Sequence, residues 1–186
     1  MIPTREEAVK LFKEYNETPA LYKHALAVEA VMRHYARLLG EDVEKWGVVG
    51  LLHDLDYEKY PEQHCKKTEE ILEERNVSPE IIRAVLSHAY GMCSDVEPVH
   101  PMEKVLYATD ELTGLVMATA LMRPSKSLMD LEYKSVWKKY KTLNFAAGVD
   151  RSVIEKGCEM MGASLKEVIE QVILAMRKVA KELELE

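Results

Sequence analysis

The string GVVGLLHDLDYE places an imidazole and a carboxylate side by side, His53 and Asp54, at the end of an apolar run. A buried carboxylate beside a buried imidazole is costly unless something satisfies both. A divalent cation does so, and this donor pair suits zinc, iron or manganese. Four further donors are spread around the pair: His24 before it, and His64, His88 and Asp110 after it. Adjacent residues on a helix point about 100° apart, so His53 and Asp54 do not face a single point. They are able to share two metals, with Asp54 bridging. Each outlying donor has apolar helical neighbours: His24 lies between Leu21 and Val28, His88 follows Val85 and Leu86, and Asp110 sits between Leu106 and Leu112. One such residue reads as a satisfied core histidine or acid; six together read as a metal centre, with His53 and Asp54 as its catalytic pair.

The elements that must position these donors are helical. Thr4 with Glu6 and Glu7 starts a first helix, Thr18-Pro19 a second that stops at Gly40, and Asp42 a third that runs to the His53-Asp54 pair. Pro61 begins a fourth carrying His64. Ser78-Pro79 begins a fifth carrying His88 and closing at Gly91, and Pro101 begins a sixth carrying Asp110. Beyond it the chain is less regular, with breaks near Pro124 and Gly148, and from Ser164 onward it reads as one amphipathic helix. No alternating stretch supports a strand, so the class is all-α. No linker composition divides the 186 residues, and one domain is expected. The leftover histidines read as surface (His34) and as a cap or loop residue (His100). Met92, Met117, Met122 and Met129 read as core filling.

An apolar fraction of 47% and a charged fraction of 31% suit a globular chain with a substantial core. The net charge of −7 argues against a dedicated nucleic-acid binder. Three isolated cysteines without a C-x-x-C pair, and a charged N-terminus, point to a reducing, cytoplasmic setting. The apolar stretch LTGLVMATALM is too short to span a bilayer, which takes about 20 residues, so no membrane association is expected.

The pieces LYKHALAVEAVM, GLLHDLDY, EQHCKKTEEIL, VLSHAYG and MEKVLYATDELTG resemble the HD superfamily of metal-dependent phosphohydrolases. Within it they resemble the dinuclear branch, in which two extra histidines follow the HD pair. The resemblance implies an HD core over about residues 18–122 and a helical C-terminal extension over about 123–186. It implies that His24, His53, Asp54 and Asp110 hold one divalent metal, and that Asp54 bridges to a second held by His64 and His88. The remaining third is similar to the tail of a group of small bacterial HD proteins known only as hydrolases. One departure stands out: many relatives have a lysine three residues after the HD aspartate, where this chain has Tyr57.

A water between two cations is acidified, so a bridging hydroxide exists near neutral pH. Phosphoryl transfer then needs mainly positioning and electrostatics. The expected activity is cleavage of a phosphoester or phosphoanhydride bond in a small anionic substrate, a nucleotide above all. The same ligand order also resembles the diiron HD oxygenases, and a non-catalytic nucleotide-sensing module is a third reading. Arg123 and Lys126, in the short turn after the Asp110 helix, are candidates to fold back and bind the anion, whereas Lys138, Lys139 and Lys141 read as a solvated face. Glu111 and Thr113 are candidates to line the pocket. The amphipathic C-terminal helix is able to pack on the domain or on a second copy in a homo-oligomer.

Overall fold

Nine helices form in the computed structural model, which describes all 186 residues, and the chain contains no strand. Their starts follow from local capping chemistry. Thr4 and Glu7 form a reciprocal cap at the head of α1 (Arg5–Tyr15). Pro19 occupies the first position of α2 (Pro19–Leu39), which ends at Gly40 in the left-handed region (φ 71°). Asp42 accepts from the Glu44 and Lys45 amides and starts α3 (Val43–Leu52). Next come α4 (Lys66–Glu74), α5 (Pro79–Ser87) and α6 (Pro101–Met122). His100 caps α6, its Nδ1 accepting from the Met102 amide while Glu103 reaches back to the His100 amide. The chain closes with α7 (Tyr133–Tyr140), α8 (Arg151–Met161) and α9 (Leu165–Arg177).

α6 lies at the centre, packed by α2, α5, α7, α8 and α9. It is long and apolar enough to cross a membrane by composition alone, yet most of its surface is buried against these neighbours. A single apolar cluster draws side chains from every helix, including Leu128, Leu131, Val136, Ile154 and Val172 beyond residue 122.

Two close backbone approaches fix the helices that carry the donors. A Cβ on Gly50 would meet the Glu29 Cα at 2.9 Å, so α3 rides directly on α2. A Cβ on Gly157 would meet the Ala108 Cα at 2.4 Å, so α8 presses on α6 two residues before Asp110. Buried Glu29 accepts from Arg5 (2.6 and 2.9 Å) and from Arg33 (2.8 Å), tying α1 to α2. Burying a carboxylate is tolerable only when it is paired in this way.

Four expectations need correction. Pro61 begins only a single 3-10 turn, Pro61–Gln63; Cys65 then adopts φ 71°, and α4 starts after it, so His64 lies outside any α-helix. The C-terminal helix ends at Arg177, after which the chain turns back and the Leu185 carbonyl accepts from the Leu128 amide at 2.7 Å. The apolar face of α9 packs on α2, α6 and α7 of its own chain. His34 is buried, because α9 covers the back of α2: its Nε2 donates to Gln171 (2.6 Å) and its Nδ1 accepts from Lys178 (3.1 Å). Of the methionines read as core, Met122 and Met129 are exposed, and Met92 lies half-exposed at the mouth of a cavity.

Candidate metal centre

The six expected donors converge, two from helix C-termini, two from within helices and two from turns. His53 caps the C-terminus of α3 and His88 that of α5. His24 projects from α2 and Asp110 from α6. Asp54 and His64 come from the turns between α3 and α4.

Two groups of atoms result. In the first, His24 Nε2, His53 Nε2 and Asp110 Oδ1 lie 2.9–3.2 Å apart, with Asp54 Oδ2 at 3.2 Å from His53 and 3.7 Å from His24. In the second, His64 Nε2 and His88 Nε2 are 3.2 Å apart, each 3.5 Å from Asp54 Oδ1. Ligands held about 2.0–2.2 Å from one ion are spaced by similar distances.

The far nitrogens decide what these atoms require. His53 Nδ1 donates to the Gly50 carbonyl (2.8 Å), His88 Nδ1 to the Val85 carbonyl (2.6 Å), and His64 Nδ1 to Asp56 Oδ1 (2.6 Å). With those protons assigned, each Nε2 of the neutral rings is a lone pair. While the rings stay neutral, lone pairs and carboxylate oxygens face one another, an arrangement that draws in either a proton or a cation. The cluster demands positive charge, and the donor set fits divalent cations.

The protonation tendencies of the metal-free cluster carry the same message. Burial opposes a charged His53, but Asp54 and Asp110 outweigh it and hold the imidazole well above its ordinary value. Burial also opposes charge on Asp54, yet His53 and His88 pull it well below the usual carboxylate range. Asp110 is likewise held low against burial, by His53 and His24. A cation held by these donors would compete with the His53 proton, so its affinity would rise with pH.

Asp56 was not foreseen as a site residue. It is fully buried, with Oδ1 on His64 and Oδ2 accepting from the Thr68 amide at 2.9 Å. It is thus the carboxylate that sets the ring of His64, where His53 and His88 use backbone carbonyls instead. Its sequence signal was a second acid, HDLD, inside an apolar string. Loss of such an outer partner typically costs about 10–100-fold in metal affinity. Asp56→Asn is expected to weaken the second of two bound metals by about that factor and leave the first unchanged. Stepwise chelator competition on the purified variant measures both affinities; equal weakening of the two would remove this role.

A cavity of about 420 Å³ opens onto the centre. Leu21, Tyr57, Met92, Glu111 and Val149 line it beside the donors. Burial, then the neighbouring Asp110, pushes the Glu111 carboxyl above its usual value. Thr113 faces inward instead, its hydroxyl donating to the Thr109 carbonyl. Cys65 and Cys93 meet beside the second group, Sγ to Sγ 3.1 Å, and burial pushes the Cys65 thiol up.

Arg123 and Lys126 are not brought to this cavity. Arg123 follows the last residue of α6, thirteen residues beyond Asp110, about 20 Å at 1.5 Å per residue. It is held by Asp130 (3.1 Å) and by Ser135 (3.0 Å), and Lys126 is exposed on the turn beyond it. The turn folds against α7 rather than back over the donors.

The sequence model of the HD domain family matches residues 21–115, just over half of the chain. The chain belongs to the HD domain family. All six donors fall within this HD domain, from His24 to Asp110, and α7 to α9 pack around it. No curated protein and no solved structure matches the chain. Membership in the HD family places it among metal-dependent phosphohydrolases in general.

Proposed function

We propose that this chain is a dinuclear metal-dependent phosphohydrolase acting on a small anionic phosphate compound, with nucleotides the favoured class and the cytoplasm its setting. The observation that carries this reading is the division of Asp54: Oδ2 faces His53 and His24, and Oδ1 faces His64 and His88. One carboxylate split between two sets of imidazoles is the arrangement a bridging ligand needs. When bound, two divalent cations acidify a water between them and offset charge on a phosphoryl group.

The chain's own residues supply positioning. The Gly50 and Val85 carbonyls hold His53 and His88 with Nε2 toward the centre, and Asp56 does the same for His64. Asp54 and Asp110 keep their negative charge despite burial.

Elemental analysis of protein purified without chelators, run beside a phosphatase screen and an oxygen electrode, tests the proposal. The expected result is about two equivalents of zinc, manganese or iron, with phosphate release that needs no oxygen. Iron with oxygen uptake and no phosphate release would turn the reading to the oxygenase. Two metals with neither activity would turn it to a sensing module.

A further inference from the structure

We infer that the cavity takes a phosphate ester with a single phosphoryl group on an uncharged, hydroxyl-bearing body, and that it discriminates against polyphosphates. The inference rests on the hydrolase reading above and narrows its substrate. It comes from the charges around the cavity: no lysine or arginine lines it, and the one charged group there beyond the metal donors is the carboxylate of Glu111.

Except for Lys66, which is exposed and does not line the cavity, the basic side chains nearest in sequence are engaged elsewhere. Lys23, next to His24, pairs with Glu184. Lys59 donates to the Glu14 carbonyl and Lys67 to Glu70. Lys156 sits over the Tyr90 ring. Arg151, at the segment that supplies Val149, donates to the carbonyls of Phe145 (2.6 Å) and Ala146 (2.8 Å). Sites that hold several phosphates place arginine forks or lysine charges on them. Here only the metal centre offers positive charge. Two divalent cations there would bring +4 against the three carboxylates of Asp54, Asp110 and Glu111, a net of about +1, which a single phosphomonoester, about −2 at neutral pH, already exceeds.

A second or third phosphate would extend into a cavity walled by Leu21, Met92, Val149 and the Glu111 carboxylate, and would lose its hydration there without a cation in return. The same wall suits an uncharged body. Glu111 Oε2 accepts from the Asp150 amide at 3.3 Å, and its Oε1 has no partner within the chain. The half-exposed Tyr57, packed edge-on against His64 at 5.4 Å between ring centres, likewise has a hydroxyl without a partner. An acceptor and a hydroxyl are thus available to the body of an alcohol or sugar. A volume of about 420 Å³ is within the range of small-molecule sites.

The test compares adenosine monophosphate with adenosine triphosphate, by calorimetric Kd and by kcat/KM, on protein loaded with Mn²⁺ and then freed of excess cation, so that the triphosphate carries none of its own. The monophosphate is expected to be favoured at least about tenfold in both, with the ratio shrinking as salt rises. Glu111→Gln should narrow the ratio and Glu111→Lys should reverse it. Equal handling of the two nucleotides by the parent protein, or an unchanged ratio in a folded Glu111→Lys, would overturn the inference. The two readings fail separately. A monophosphate preference in binding without hydrolysis removes the hydrolase and leaves the charge selectivity; hydrolysis without the preference does the reverse.

Discussion

Asp54→Ala is expected to lose the second metal entirely, to weaken the first, and to abolish turnover. The carboxylate is the one group within reach of both sets of imidazoles, at 3.2 Å from His53 and 3.5 Å from each of His64 and His88. Without it His64 and His88 remain 3.2 Å apart as a pair of neutral donors with no anion between them. The loss in activity should therefore exceed the about 10–100-fold expected when an outer partner is removed. Metal content by elemental analysis and turnover on a phosphomonoester should fall together. Full activity with two metals retained would show that Asp54 does not bridge.

Gly157→Ala is expected to be the most damaging single methyl group in the chain. Its Cβ would lie 2.4 Å from the Ala108 Cα and 2.9 Å from the Ala108 nitrogen. Backbone does not rotate aside as a side chain does, so α8 must move off α6. Overpacking of this kind typically costs about 1–3 kcal/mol. In a chain of this size each kcal/mol lowers the melting temperature by about 2–4 °C. Gly114→Ala, on α6 with open space around its Cβ, is the matched control and should be neutral or mildly stabilising. Thermal unfolding of the two metal-free variants makes the comparison. Similar melting temperatures would mean that the α6–α8 contact yields easily.

His24, His88 and Asp110 stand out in the sequence because each is an imidazole or acid on an apolar helical stripe, and His53 and Asp54 because they end an apolar run. The helix starts were legible because caps are local, as at Thr4, Asp42 and His100. What was not legible depended on neighbours distant in the chain. His34 is about 80° from His24 around α2 and looked solvent-facing, but α9 arrives from more than 130 residues away and covers it. Asp56 is eight residues from His64, and only the tight turns between α3 and α4 bring the two together. Arg123 and Lys126 were placed near the centre by their closeness in sequence to Asp110. A rigid 22-residue helix turns such closeness into distance. α8 went unread, although Asp150, then Val153, Ile154 and Cys158, then Gly162 mark a cap, a buried face and a stop.

The two carbonyls that anchor His53 and His88 belong to the last turns of α3 and α5. The two rings lie 5.2 Å apart between centres, so both helices end beside one another, and the C-terminal end of a helix carries a partial negative charge of about half a unit. The backbone itself builds a negative potential where the imidazoles meet, before any carboxylate is counted. This gives a reason for His53 and His88 to stand at helix ends rather than mid-helix: the peptide dipoles of two helices add to the pull on a cation, and no point substitution of a ligand removes that contribution.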